Sequence, residues 1–230
     1  MLRIKGLNVQ RGNGSQAHCV QLPELALARG QIVAITGESG CGKSTLLEAI
    51  GLLLAPVSVA QFSLAGRDVV ALLEADDQPS LADMRARSLG FVLQNGGLLP
   101  FLNIRDNINL PRRLLGLDSQ SGFVDNAISA LSLEPLLDKL PQALSIGERQ
   151  RAACVRAIAH QPALILADEP TAALDPHNAR LLFELLLSLV EQSGLCALIV
   201  SHDWELVRSF DLPRLIAVSR PGETHFEASR

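Results

Sequence analysis

The stretch Gly37-Glu38-Ser39-Gly40-Cys41-Gly42-Lys43-Ser44-Thr45 decides the fold. It follows the apolar run Gln31-Ile32-Val33-Ala34-Ile35-Thr36 and precedes Leu46-Leu47-Glu48-Ala49-Ile50, an order that reads as strand, glycine loop, helix. Glycines let the backbone take conformations that a Cβ forbids, so successive N–H groups can converge on a phosphate. The helix N-terminus adds partial positive charge. In such a phosphate-binding loop Lys43 reaches the β- and γ-phosphates and the Ser44 hydroxyl ligates Mg²⁺. The stretch therefore implies binding of a nucleoside triphosphate.

Further along the chain, Ala163-Leu164-Ile165-Leu166-Ala167 is an apolar strand that ends in Asp168-Glu169. Beside a phosphate-binding loop, the first acid is placed to hold Mg²⁺ through water and the second to polarise water for attack on a γ-phosphate. Ser145-x-x-Glu148 reads as a capping box, so a helix begins there with N–H groups that attract phosphate.

The rest is read around these anchors. Residues 2–10 alternate as a strand, Gly12-Asn13-Gly14-Ser15 is a turn, and 19–27 is further strand interrupted at Pro23. The loop's helix ends near Leu53, before Pro56. Strand plus turn is expected over 57–66, and a short helix capped at Ser80-Leu81-Ala82-Asp83. Leu89-Gly90-Phe91-Val92-Leu93-Gln94 reads as a second buried strand. From Asn95 to Gln142 only helical periodicity is found, over 103–117, 122–131 and 135–140. Helix resumes over 148–160 and stops at Pro162. A further helix opens at Asp175-Pro176 and closes at Gly194, as capping rules expect. Strand 195–201 and a terminal pair over 214–218 and 223–226 complete the chain. The expected architecture is α/β: a P-loop core sheet, an N-terminal antiparallel β lobe and an inserted α-helical lobe at about 95–155, all within one domain spanning 1–230.

At 230 residues, with 48% hydrophobic and 19% charged residues, the chain has ordinary globular composition. Its apolar runs are too short to span a membrane, and Met1-Leu2-Arg3-Ile4-Lys5-Gly6 reads as strand rather than secretory leader, so a cytosolic location is expected. A net charge of −4 argues against a nucleic-acid partner. The cysteines Cys19, Cys41, Cys154 and Cys196 lack C-x-x-C spacing, which indicates separate thiols. Cys41, between a helix N-terminus and Lys43, is the one expected to react readily.

In order, these elements resemble the ATP-binding subunits of ABC transporters across essentially the whole chain. The resemblance rests on the P-loop, Gln94 at a strand end, Leu144-Ser145-Ile146-Gly147-Glu148, Asp168-Glu169, Ala173-Leu174-Asp175 and Ser201-His202-Asp203. It implies a head-to-tail dimer, homodimeric or paired with a second ATPase subunit. In it Ser145 and Gly147 of one subunit cap the ATP held by the other's P-loop, and Asp175 of the D-loop is a further nucleotide-binding residue. It implies Ser44, Gln94 and Asp168 as Mg²⁺ ligands, Glu169 as base, and His202 as the link between γ-phosphate and Glu169. Ile146 replaces the family's usual glycine and Glu148 its usual glutamine. The family stacks adenine on an aromatic residue where this chain has Arg11, which either stacks its guanidinium or is a solvated turn residue.

The resemblance further implies a peripheral location on the inner face of the cell membrane and a permease partner docked around Gln94–Phe101. The texture Leu89-Gly90-Phe91-Val92-Leu93-Gln94, then Leu98-Leu99-Pro100 and Asn107, with Gly147-Glu148-Arg149-Gln150-Arg151 and Leu166-Ala167-Asp168-Glu169-Pro170-Thr171, looks most like the lipoprotein-release and macrolide-efflux branch. An importer ATPase and a cell-division-type regulator are the alternatives. ABC ATPases of DNA repair or translation carry coiled-coil insertions, zinc modules or tandem cassettes, none of which is visible here. A P-loop kinase or GTPase has no use for the Ser145 stretch or His202.

Overall fold

The computed structural model describes residues 1–14, 17–172 and 174–229, so Ser15 of the first turn and Ala173 beside Asp175 lie outside the described residues. Among the described residues ten strands form one sheet: β1 (Leu2–Arg11), β2 (His18–Leu27), β3 (Ile32–Thr36), β4 (Gln61–Leu64), β5 (Arg67–Asp68), β6 (Leu89–Val92), β7 (Leu164–Asp168), β8 (Cys196–Val200), β9 (Arg214–Arg220) and β10 (Glu223–Ser229). Their order is β5-β4-β1-β2-β10-β9-β3-β8-β7-β6. From β9 to β6 every neighbouring pair is parallel, whereas β5, β4, β1 and β2 pair antiparallel.

The sequence texture follows from this division. β3 and β8 are buried at every residue, because helices or strands cover both faces of a parallel sheet. β1 instead alternates buried and exposed positions, as a one-sided antiparallel strand does. Two apolar clusters lie on the two faces of the parallel strands. Ile32, Ala34, Ile165, Ala167, Ala197 and Ile199 belong to one; Val33, Ile35, Leu164, Leu166, Leu198 and Val200 belong to the other. The first face is covered by α5 (Gly122–Ala130), α6 (Ile146–Ile158) and α7 (Pro176–Ser193), the second by α1 (Lys43–Ile50) and the antiparallel strands.

Between β6 and β7 the described residues contain only helices and turns: α4 (Ile104–Leu114), α5, two 3-10 turns and α6. This is the helical lobe that the sequence implies. Asn103, Ser145 and Asp175 cap α4, α6 and α7, and Gly194 closes α7 in the left-handed conformation.

Local expectations needed correction at several places. α3 (Gln78–Ser88) is capped by Asp77, whose carboxylate accepts from Ser80 N, so Ser80 sits in the first turn and is not a cap. The expected strand over 57–64 shrinks to β4, with only a bridge from Ser58 to Asn8 before it. The helix expected over 135–140 is a 3-10 turn, Glu134–Leu136. Pro23 does not interrupt β2: pairing runs from Lys5–Glu24 to Leu7–Leu22 across it. The sequence reading passed over β5 and two short helices, α2 (Val69–Glu74) and α8 (Trp204–Ser209). Both helices are capped by an aspartate, Asp68 and Asp203, but each is too short to show periodicity.

Candidate active site

Four parallel strands aim their C-terminal ends at one place. β3 runs into the glycine loop, β6 ends two residues before Gln94, β7 ends at Asp168, and β8 ends two residues before His202. A crevice beyond the C-terminal ends of parallel strands is the usual ligand position in an open α/β sheet. Here it is a cleft of 310 Å³, with Ser39, Lys43, Ser44 and Thr45 on one side and Gln94, Asp168 and Glu169 on the other. Larger hollows of 540 Å³ and 480 Å³ lie elsewhere, but neither gathers an ammonium group, a hydroxyl and carboxylates in this way.

The loop is held tightly enough that two positions must be glycine. A Cβ on Gly37 would lie 2.5 Å from Ala217 Cβ, and one on Gly42, at φ +97°, would lie 2.6 Å from Val20 Cγ2. Neighbouring strands β9 and β2 thus press directly on the loop. Among the described residues no side chain caps α1, which leaves its first N–H groups for a ligand. Lys43 is 5% exposed, and its Nζ donates to the carbonyls of Gly37 (2.9 Å) and Glu38 (2.7 Å). Cys41 is buried, with Sγ 3.9 Å from Lys43 Nζ. All four cysteines are free, and burial pushes the Cys154 thiol up to about 12.

Across the cleft, burial raises the pKa of Asp168; a hydrogen bond from Ser44 opposes this, the charge of Glu169 adds to it and Lys43 counters it. Glu169 sits at φ +47°, a conformation rare for a residue with a Cβ. Its N–H donates to Val200 O (3.0 Å) and its carbonyl accepts from Ala172 N (3.2 Å), which fixes the side chain's exit. Glu169 Oε2 accepts from Gln94 Nε2 at 3.3 Å and lies 3.2 Å from His202 Nδ1. Three residues read separately from the sequence therefore meet at one carboxylate oxygen.

The segment that carries Gln94 is tied to the helical lobe. Gln150 Nε2 donates to Leu93 O (3.1 Å), Arg156 donates to Gly97 O (2.6 Å) and Gly96 O (2.8 Å), and fully buried Asn107 brackets Leu99 through both backbone groups. Beyond it Phe101 is 73% exposed, while Leu98 packs on the core.

Ser145, Gly147 and Asp175 are not among the residues lining the cleft. Ser145 caps α6 in a full capping box: its N–H and Oγ both reach Glu148 Oε2 at 2.7 Å, and Glu148 N donates back to Oγ at 3.3 Å. The hydrogen bonds from Ser145 hold the Glu148 carboxyl below its ordinary range. Ile146 is exposed, and a Cβ on Gly147 would meet only Leu174 Cδ2, at 3.4 Å.

Arg11, at the end of β1, is directed onto α1: its Nη1 lies 3.1 Å from Glu48 Oε2 and 3.4 Å from Thr45 Oγ1. Sequence reasoning missed His18, whose ring borders Gly42 and pairs with Thr224, because no motif marks it.

Comparison with known proteins agrees with this geometry. The profile of the ABC transporter family matches residues 21–172. The chain is 40% identical over 190 residues to the lipoprotein-releasing system ATP-binding protein LolD 1 of Rhodospirillum rubrum, covering 82% of each. It is 35% identical over 211 residues to the methionine import ATP-binding protein MetN of Cupriavidus metallidurans, covering 90% of this chain but 60% of that longer protein. A dimeric ATP-binding cassette solved in a post-hydrolysis state with ADP and phosphate superposes with a TM-score of 0.83 at 30% identity, covering 100% of this chain and 99% of that one. The chain belongs to the ABC transporter family, as one of its ATP-binding, ATP-hydrolysing cassettes.

Proposed function

We propose that this chain is the motor of a lipoprotein-release type transporter: two copies close around two ATP molecules and drive a separate membrane subunit. The observation that carries the motor reading is the convergence of Gln94 and His202 on Glu169 beside the P-loop, and the similarity to a lipoprotein-releasing ATP-binding protein supports the branch. In this arrangement Lys43 and the amides of residues 37–45 bind the phosphates. Glu169 takes the proton of the attacking water, His202 holds Glu169 and faces the γ-phosphate, and Arg11 lies at the base end of the site.

The donor set fits magnesium. Ser44, the Gln94 carbonyl and Asp168 are hard oxygen ligands, and a single carboxylate suits an ion that keeps water and shares the substrate's phosphates. When bound, that ion neutralises charge on the phosphates. Asp168, disfavoured as an anion by burial, is the group here that gains most from a cation nearby.

Ser145, Gly147 and Asp175 act on the partner's nucleotide. They stand outside the cleft of their own chain, and the space beside Gly147 leaves room for a phosphate from outside. Residues 1–230 work as one ATP-binding domain, with a sub-lobe at about 95–155 that carries this cap. The membrane subunit docks on the exposed apolar side chains near the Gln94 segment, among them Phe101 and Leu114, at 73% and 76% exposure. Among the described residues no helix is long and apolar enough to cross a membrane, and the chain works peripherally on the inner face through that contact. The similarity to a methionine import protein supports a second reading, an importer ATPase.

Purified protein should hydrolyse ATP, and Glu169→Gln should bind ATP yet lose turnover. Hydrolysis by that variant at the unsubstituted rate would overturn the assignment.

A further inference from the structure

The cleft has a direction. Gln94, Asp168 and Glu169 stand where the terminal phosphate reacts, and the loop residues Gly42 to Thr45 line the cleft with them. Beside the loop stand Arg11 from β1, 3.4 Å from Thr45 Oγ1, and His18 from β2, next to Gly42. A nucleotide whose phosphates follow the loop must place its base on this side. The chain contains no tyrosine, and the Phe and Trp residues lie elsewhere, several of them deep in the core.

His18 offers the planar ring. Its Cδ2 and Nε2 stand 3.9 Å from where a Cβ on Gly42 would project, so the ring lies against the glycine that precedes Lys43. The ring is also fixed in place. Nε2 pairs with Thr224 Oγ1 at 2.9 Å; Thr224 is fully buried, and its hydroxyl lies 3.3 Å from Ser219 Oγ. Thr224 belongs to β10, which pairs in parallel with β2 through Glu223–Cys19, Thr224–Val20 and His225–Gln21. The terminal hairpin thus aims a side chain of β2 at the nucleotide loop.

Resting on the ATP-binding reading, we propose that His18 is the base-contacting residue of the site and that Thr224 is its positioning residue. The His18 ring stacks on the base while the loop holds the phosphates. Stacking is indifferent to which base is present, so the site discriminates little between adenine and guanine nucleotides.

Calorimetric titration with MgADP and with magnesium pyrophosphate, which lacks the base, separates the two ends of the site. His18→Ala should weaken ADP binding about fivefold and leave pyrophosphate affinity within about twofold. His18→Phe, which restores a ring, should regain the ADP affinity. Thr224→Val, which keeps shape but removes the hydroxyl, should weaken ADP in the same selective way, to a smaller extent. Equal weakening of ADP and pyrophosphate by His18→Ala would show a structural role and overturn the proposal, as would unchanged ADP affinity. Failure of the unsubstituted protein to bind either ligand would instead overturn the reading of the loop itself.

Discussion

The P-loop and the start of α6 are both helix N-termini prepared for phosphate, yet they are built in opposite ways. The P-loop is enclosed. Lys43 is 5% exposed and bonded to two loop carbonyls, two glycines are forced by strands pressing on them, and acids stand across a defined cleft. The α6 terminus is open. Its serine is satisfied by its own glutamate, Ile146 beside it is exposed, and the acids of the cleft are not its neighbours. One end faces a cleft lined by acids of its own chain, whereas the other stands outside that cleft and borders a separate hollow against α7. On the proposed reading, this difference is why two copies pair: each supplies one enclosed half and one half for its partner's nucleotide.

Substitutions on the two sides should separate this division into affinity and turnover. The largest effect belongs to Lys43→Ala. Lys43 is a buried ammonium whose present acceptors are two loop carbonyls, and losing the charge it offers a phosphate should weaken nucleotide binding about 100-fold or more in equilibrium titration. Ser145→Ala removes a single phosphate donor from the end of α6, so steady-state turnover should fall about tenfold while nucleotide affinity of the isolated chain stays put. An equal loss of affinity in both variants would erase the distinction between the halves.

Glu148→Gln should act in the other direction. The carboxylate shares the end of α6 with the incoming phosphates and competes for Ser145; glutamine keeps the cap without the charge. ATP-induced pairing should tighten about threefold, measured by sedentation equilibrium in the Glu169→Gln background. The smallest effect concerns Asp168. Its folded pKa is raised, so it adds stability below the ordinary carboxylate pKa and loses it as pH rises through the raised value. Asp168→Asn should therefore melt about 2 °C higher than the unsubstituted protein at neutral pH without nucleotide, and the gap should close in acid.

Legibility in the sequence followed the distance over which a residue acts. The P-loop, the Asp168-Glu169 strand end, the Asp175 cap and the Gly194 stop are local devices, and each sits where its spacing says. Ser80 misled because Asp77, one turn earlier, offers the same chemistry and takes the cap. The link from His202 to Glu169 could be named only through the family resemblance, and the bond from Gln94, 75 residues from its carboxylate, was not foreseen at all. His18 and Thr224 lie 206 residues apart, on strands whose adjacency is decided by insertion of the terminal hairpin beside β2. No periodicity in either segment records that. The Arg11–Glu48 pair was hidden in the same way, because it depends on how α1 lies against β1.

The most direct test of the divided site is the mass of the Glu169→Gln protein by light scattering, with and without MgATP. The enclosed half alone should keep the 24.7 kDa chain monomeric without nucleotide, and saturating MgATP should double that mass. Adding Ser145→Ala should shift the doubling to higher protein concentration. A protein that stays monomeric at every ATP concentration, while the unsubstituted chain turns over ATP as a monomer, would contradict the account.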